Sequence, residues 1–283
     1  MPRLALFGRL DTAPVPEALA GHGRADQEGT TAMSSLTEQR PPAAPVRRST
    51  PKRIASLLQG VAIAVGFAML VGGVVLVAVQ YRPYRIPSTS MSPTIQVGDT
   101  VLARKTDGGT VGRGDIVVFS EPLWGGATMV KRVAALGGDT VACCDAGQRL
   151  TVNGVGVDES YADEKLGPGA GFSITVPEGR LFLLGDSRAN SLDSRSHLDV
   201  ASGTVAASDV VARVEAIAWP SDRMASVPRA DAFDAIAGRP ASRHGLLVPA
   251  TYAAVGGALL VLAAGAAGGI AGLAGRLLGR RRT

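Results

Sequence analysis

Two long uncharged apolar runs stand out in the pattern of hydrophobic and polar positions along the chain. The first covers residues 54–80, and the second, which is rich in Gly and Ala, covers residues 246–275. A helix of about 20 apolar residues is long enough to cross the hydrocarbon layer of a bilayer. The pattern therefore predicts a transmembrane helix at each of these two positions.

Each run also has a plainer interpretation. A secretory signal peptide is disfavoured for the first run, because about fifty residues precede it and because its length exceeds the about 7–15 apolar residues of such a peptide. Tyr81 and Tyr84 follow the run, as is typical of a membrane interface. The second run also fits a buried or surface-lying helix. Its small residues favour close helix packing in lipid, and they include Gly265, Gly268, Gly269 and Gly272.

The region between the runs, residues 81–245, alternates short apolar segments with turns. The segments are Thr100–Ala103, Asp115–Phe119, Met129–Ala135, Asp139–Ala142, Leu150–Val152, Phe172–Val176, Arg180–Leu184 and Val210–Trp219. Gly, Asp, Pro and Asn separate them, and no helical periodicity of ten or more residues competes with the strand pattern. We therefore expect a mostly β domain of coiled antiparallel sheets, flanked by the two transmembrane helices.

The distribution of charge indicates membrane topology rather than a nucleic-acid partner. The formal net charge is +5, but residues 1–53 carry +3, residues 276–283 carry +4 and residues 81–245 carry −2. Basic residues next to an apolar span are typical of its cytoplasmic side. We therefore expect both termini in the cytoplasm, the β domain on the outer face of the cell membrane, and no binding of nucleic acid.

The two ends of the chain are predicted to be tails. Residues 1–53 are rich in Ala, Pro, Gly, Ser and Thr and lack apolar periodicity, which favours a disordered basic cytoplasmic tail. Residues 276–283 form a second basic cytoplasmic tail. Met33 is a candidate alternative start, and an intact mass or N-terminal peptide beginning at Pro2 would exclude Met33 as the exclusive start.

Histidine and cysteine restrict the chemistry of the β domain. Only His197, of three histidines, lies well inside it, so a Ser-His-Asp triad would depend on that residue. Zinc ligands at the usual spacing are missing, and no cofactor is implied. The two cysteines, Cys143 and Cys144, are adjacent; a disulfide between neighbours is strained. A cysteine nucleophile with His197 and Arg195 stays open as an alternative, a sortase-like transpeptidase that thiol alkylation would abolish.

Lys131 is the most informative of the four lysines. It lies in a strand-like segment, where alternation places Met129, Lys131 and Val133 on one face. If that face points into the core, burial lowers the pKa of the amine, and a neutral lysine can act as a general base. A lysine facing solvent beside Arg132 fits the pattern equally well, so both interpretations stay open.

Two polar stretches complete the candidate chemistry. Residues 87–94, PSTSMSPT, form an extended or turning loop with four hydroxyls, starting about seven residues beyond the first apolar run. Residues 185–195, GDSRANSLDSR, follow a strand-like apolar segment. Polar residues at the end of a strand are common in active sites and equally common in ordinary loops.

These stretches together resemble the motif boxes of type I signal peptidases, membrane-bound serine proteases that remove signal peptides. In chain order, the resemblance is carried by residues 87–94, 98–101 with Arg104-Lys105, 113–119, 130–133 with Gly138-Asp139, and 185–195. It covers roughly residues 80–220. The family's last box usually has Asn where Ser187 stands, a position to which we assign no chemistry. The second apolar run and the long tail are not universal in the family.

The resemblance implies a role for each matched residue. Ser90 would be the nucleophile, Lys131 the general base, and Ser88 with the Ser90 N–H the oxyanion hole. Ser191 would orient the lysine amine. The supporting residues would be Asp193, Arg195 and Arg132.

The resemblance also implies a substrate and partners. The substrate would be the signal peptide of a preprotein, bound as an extended chain and cut after small residues, and the partners would be the lipid bilayer and the secretion machinery. A self-cleaving repressor-type protease and a non-enzymatic membrane-anchored β domain are the remaining alternatives.

Overall fold

The computed structural model describes residues 51–163, 171–243 and 245–280. Residues 1–50 and 281–283 of the two predicted tails lie outside the described residues, as do Lys165 and His244.

Two long helices frame the β domain. Helix α1 spans Pro51–Gln80 and helix α2 spans Leu247–Arg280. Each contains a 28-residue segment long and apolar enough to cross a membrane. The helix boundaries differ slightly from prediction: α1 begins at a proline, which is favourable at the first helical position, and α2 continues beyond residue 275 because Arg and Leu are good helix formers.

The helices pack against each other in antiparallel orientation through small residues. A Cβ at Gly66 would lie 2.8 Å from the carbonyl oxygen of Gly257, and one at Gly73 would lie 2.5 Å from that of Ala250. Gln59 donates a hydrogen bond to the carbonyl oxygen of Ala264 at 3.0 Å. The predicted packing through small residues therefore occurs.

Most of the glycines predicted to form this contact are not the ones that do. Gly268 contacts Gln59, whereas Gly265, Gly269 and Gly272 face open space.

Twelve strands are described, and they form two antiparallel sheets. The larger has the order β1-β2-β11-β3-β4-β9-β10, with β12 on β11, and the smaller has the order β7-β6-β5-β8. Their bounds are β1 Tyr81–Arg85, β2 Thr100–Lys105, β3 Ile116–Ser120, β4 Thr128–Leu136, β5 Thr140–Cys143, β6 Leu150–Val152, β7 Val155–Gly156, β8 Phe172–Thr175, β9 Arg180–Leu184, β10 Val205–Ala206, β11 Val210–Trp219 and β12 Ala225–Ser226.

The predicted mostly β domain between two long apolar helices is confirmed. All eight predicted apolar segments are strands, although their ends differ by up to two residues. β1 was not predicted because Pro83 and two arginines interrupt its apolar alternation. The other missed strands, β7, β10 and β12, have only two residues each.

Candidate active site

Ser90 lies in a loop that connects β1 to β2 and is anchored in the core. The backbone N–H of Ile86 donates to Asp99, and that of Gly98 donates to Ile86, both at 2.9 Å. Met91 and Ile95 are 1% and 0% exposed, so the apolar positions after the serine hold the loop on the sheet. Ser90 itself is 8% exposed and is thereby presented at a fixed place above the sheet.

Lys131 meets Ser90 from the neighbouring part of the same sheet. It lies in β4 opposite Val117 of β3, and the lysine is 4% exposed. Its face of the strand also carries Met129 and Val133, which belong to one apolar cluster. Lys131 Nζ donates a hydrogen bond to Ser90 Oγ at 2.7 Å. The structure therefore brings together the two residues for which the resemblance implies the roles of nucleophile and base.

The surroundings of Lys131 favour a neutral amine. Burial lowers the pKa of Lys131 below its usual value near 10.5, because an ammonium loses hydration inside the protein. Asp193 and Asp186 raise the pKa, and Arg195 lowers it again. A neutral amine beside a hydroxyl has a lone pair that can take the hydroxyl proton.

Ser88 lies on the open side of this pair. Its side chain is exposed, and Ser88 Oγ is 3.3 Å from Ser90 Oγ. One residue, Thr89, separates the two serines, and both serines line the same cleft.

The stretch 185–195 holds the serine loop from behind. The backbone N–H of Ser187 donates to the Ser90 carbonyl oxygen at 3.1 Å. Asp193, which is 0% exposed, accepts from the N–H of Gly185 at 3.0 Å, and Arg188 donates to the Gly185 carbonyl at 3.0 Å. The Arg195 side chain donates to both carboxylate oxygens of Asp193. Asp193 and Arg195 therefore support the site through the backbone next to Ser90.

Ser191 does not form the predicted hydrogen bond with the amine of Lys131. Within the part of the chain that the structure describes, Ser191 Oγ is buried and has no hydrogen-bond partner. The hydroxyl instead packs over the Cα of Gly185, beside the Ser90 carbonyl. Lys131 Nζ is held by Ser90 in this arrangement.

Gly185→Ala is expected to lower kcat/KM on a peptide substrate by about 10²-fold or more. A Cβ there would lie 2.5 Å from the Ser90 carbonyl oxygen and would also collide with Ser191. Displacing the serine loop by about 1 Å is enough for a loss of this size. Gly171→Ala is the control, because a Cβ at Gly171 meets nothing within 4 Å. Equal activity of the two variants would contradict this placement of the loop.

Arg132 is adjacent to Lys131 in sequence but pairs elsewhere. Its guanidinium donates to both oxygens of Asp186 at 2.8 and 2.6 Å and to the carbonyl of Gly114 at 2.8 Å. It also lies 4.0 Å from the ring centroid of Tyr161. Arg132 and Asp186 are 2% and 0% exposed, so they form a buried ion pair that joins β4 to the stretch after β9.

Asp186 and Ser187 were missed as supporting residues. Both are buried, and Ser187 contacts the Ser90 backbone directly. Asp and Ser after a strand are typical of any turn. The available signal was their place, immediately after the apolar strand β9 and within the stretch matched to the family's last box.

A cleft of about 320 Å³ opens beside the Ser90–Lys131 pair. Residues 84–88, 90 and 91 line it on the side of the Ser90 loop, and residues 128–131 line it on the side of β4. β4 pairs with β3 along residues 128–132 but with β9 only from Arg132 onward. Within the described residues, one backbone edge of β4 at 128–131 therefore has no strand partner and faces the cleft.

The structure does not support a cysteine nucleophile. Cys143 and Cys144 are bonded to each other in a disulfide at the end of β5, so the chain has no free thiol. His197 stacks on Trp124 at 4.2 Å, and its Nδ1 lies 2.9 Å from the Asp193 carbonyl oxygen. Among the described residues, no group of three or more His, Cys, Asp or Glu is arranged to hold a metal ion.

The central region of the chain is similar to a known peptidase family. Residues 55–219 match the family model described as signal peptidase, peptidase S26. The signal peptidase I of Mycobacterium tuberculosis is 33% identical over 253 residues, covering 70% of this chain and 81% of that protein. The signal peptidase I of Bacillus licheniformis is 36% identical over 152 residues, covering 50% and 77%. A crystal structure of a signal peptidase I from Enterococcus faecalis is 32% identical, covers 36% of this chain and 93% of that one, and gives a TM-score of 0.30.

Proposed function

Because this chain belongs to the signal peptidase family of S26 peptidases, we propose that it removes signal peptides from preproteins with Ser90 as nucleophile and Lys131 as general base. The observation that carries the proposal is the 2.7 Å contact between Lys131 Nζ and Ser90 Oγ. A serine hydroxyl is a weak nucleophile unless an adjacent base takes its proton. The buried Lys131 amine, whose pKa is lowered, meets that requirement.

The reaction follows from the positions of four groups. Lys131 takes the hydroxyl proton as Ser90 Oγ attacks the scissile carbonyl, and the developing oxyanion is met by Ser88 Oγ and the Ser90 backbone N–H. The Lys131 ammonium then protonates the leaving amine, which frees the new N-terminus of the mature protein. Water, deprotonated by the same lysine, hydrolyses the Ser90 ester. Ser88 would be one donor of this oxyanion hole. Losing one such donor typically lowers the rate by about 10²–10³-fold.

The substrate would bind as an added strand. The unpaired backbone edge of β4 at residues 128–131 offers main-chain donors and acceptors to an extended peptide, in the manner of strand addition. Side chains of a bound strand alternate in direction, so every second one would enter the cleft. Ile86, Met91 and Val130 line the cleft. The side chains that enter it would be the small residues of an A-x-A-like cleavage site.

The two apolar helices would anchor the enzyme in the membrane that holds its substrates. Helices α1 and α2 have the length and apolarity to span it, and the basic ends of the chain favour cytoplasmic termini. The β domain would then lie on the outer face, where signal peptides emerge from the secretion machinery. Sharing a bilayer raises the effective concentration of substrate at the cleft.

Cleavage of a purified preprotein in detergent tests the proposed function. We expect one cut directly after an A-x-A-like sequence, located by the mass and the N-terminal sequence of the product. Replacing the residue before the cut by Phe should reduce cleavage by about 10²-fold or more, because an A-x-A-like site has a small side chain at that position. A preprotein that stays intact, or a Phe substrate cut at the wild-type rate, would contradict the proposal.

The pH dependence of kcat/KM should report on Lys131. The neutral amine is the active form, so activity rises with pH through the pKa of Lys131. Since burial lowers that pKa, the rise should be centred below the ordinary lysine value near 10.5. A soluble peptide substrate assayed across the alkaline range measures the midpoint. A midpoint at or above the ordinary value would mean that Lys131 is not a desolvated base.

A further inference from the structure

Glu215 is a buried carboxylate to which the proposed reaction gives no role. It lies in β11 and is 3% exposed. The pairing of β11 with β2 shifts register between Val214 and Ala216, which leaves Glu215 as an extra residue in a β-bulge. A bulge bends the strand and re-aims the side chain of the extra residue. The Glu215 side chain consequently reaches the side of the sheet where the two helices join it.

Three hydrogen bonds and one further ion pair hold the Glu215 carboxylate. Oε2 accepts from the hydroxyl of Tyr81 at 2.7 Å and from the backbone N–H of Gly245 at 3.1 Å. Oε1 accepts a hydrogen bond from Arg213 Nη2 at 2.5 Å. It also forms an ion pair with Arg104, whose Nε lies 3.0 Å away but makes no hydrogen bond to it. Three of the about four acceptor sites of the carboxylate are therefore used. We call these five residues the Glu215 clasp.

The clasp joins the points at which both helices enter the β domain. Tyr81 directly follows Gln80, the last residue of α1, and Gly245 lies two residues before α2 begins at Leu247. Tyr81 and Leu247 also pack together with Ala216 in a small apolar cluster. One side chain of the sheet therefore holds both helix–domain connections at once.

The clasp leaves little freedom to its members. A Cβ at Gly245 would lie 2.7 Å from Glu215 Oε1 and 2.9 Å from the Tyr81 hydroxyl, so a larger residue there would displace the carboxylate or the hydroxyl. Burial and the hydrogen bond to Glu215 raise the pKa of Tyr81, which keeps its hydroxyl protonated as a donor.

We propose that the Glu215 clasp fixes the orientation of the β domain on the helix pair and thereby sets the height of the Ser90–Lys131 cleft above the bilayer. This inference rests on the proposed function. A preprotein held in the same bilayer presents its cleavage site at a fixed depth, and a misplacement of about 1 Å can cost about 10² in rate. A soluble peptide diffuses to the cleft in any orientation. Glu215 is thus a positioning residue for membrane-held substrates alone.

Two substrates separate orientation from folding. Tyr81→Phe, Glu215→Gln and Gly245→Ala are compared with wild type on a preprotein reconstituted in liposomes and on a soluble peptide in detergent. We expect liposome cleavage to fall by about tenfold or more and peptide kcat/KM to stay within about twofold. Tyr252→Phe and Glu178→Gln are matched controls, since both side chains are exposed. Tyr81→Phe is the mildest variant, because it leaves the arginines paired.

Equal loss on both substrates would overturn the inference, because the clasp would then support the fold rather than the orientation. Unchanged cleavage of both substrates would overturn it as well. A second readout needs no activity: spin labels at Val75→Cys in α1 and Glu178→Cys in the β domain report the distance between them. A broader distance distribution in Tyr81→Phe supports the clasp, and an unchanged one refutes it. Failure of the wild type on both substrates would instead refute the proposed function.

Discussion

Ser90→Ala and Lys131→Ala are each expected to lower preprotein cleavage by about 10³-fold or more while the β domain stays folded. The two groups act as a unit across a 2.7 Å hydrogen bond, and removing either member of such a unit typically costs nearly as much as removing both. Truncating Ser90 removes the atom that attacks the substrate, and truncating Lys131 leaves the hydroxyl without a base. Cleavage of a preprotein by the purified variants measures the loss.

Two further variants sharpen this expectation. Lys131→Arg should fail as completely as Lys131→Ala, because a guanidinium stays protonated at every accessible pH and cannot accept a proton. Ser173→Ala is the control for Ser90→Ala, since Ser173 is an exposed serine of β8. A Lys131→Ala variant that processes preproteins at the wild-type rate would refute the proposed roles of Ser90 and Lys131.

Asp186→Ala is expected to lower the free energy of unfolding by about 3–5 kcal/mol, because it leaves the buried Arg132 guanidinium without its counter-ion. A typical domain has about 5–15 kcal/mol of stability in total, so this variant should lose a large share of its stability and unfold at a clearly lower temperature. The loss is measured from urea or thermal unfolding of the full chain in detergent.

The controls for Asp186 come from the same chain. Asp234→Ala removes a 44% exposed partner of Arg229, which still pairs with Asp231, and we expect little change in stability because exposed ion pairs contribute little. Replacing both members of the buried pair, with Asp186→Leu and Arg132→Met, should recover much of the stability, since no charge is then left unpaired. An Asp186→Ala variant as stable as wild type would show that the pair contributes nothing to the fold.

Most strands of the β domain were predictable because each can be recognised from its own residues. Each of the eight predicted segments carries enough Val, Ile, Leu or Phe to be recognised without knowledge of its neighbours. Tyr81–Arg85 is different: with Pro83 and exposed arginines, β1 is a strand only because it pairs with β2 and because Tyr81 reaches Glu215. Strand propensity of this kind depends on the partner more than on the sequence.

The candidate site was predictable to the extent that its residues belong to recognisable motifs. Alternation along β4 left open which side Lys131 faces, because the lysine's contact with Ser90 joins residues 41 positions apart in the sequence. The Arg132–Asp186 pair spans 54 positions of sequence. The residues next to Arg132 or Asp186 in the sequence form no pattern that predicts this ion pair. For Ser191 the motif position was clear, but the contact was not. Its hydroxyl packs over Gly185 instead of forming a hydrogen bond with the Lys131 amine.

The unpaired edge of β4 also bears on which proteins the proposed enzyme would leave uncleaved. An edge of four residues, 128–131, would bind a substrate peptide mainly through its backbone. The backbone is chemically the same in every protein. Selection by a few small side chains is permissive, since such sequences occur in many proteins. A folded polypeptide, however, has its own strands already hydrogen-bonded and offers no free extended segment to the edge. Under the proposed function, mature proteins are therefore protected less by their sequence than by having folded.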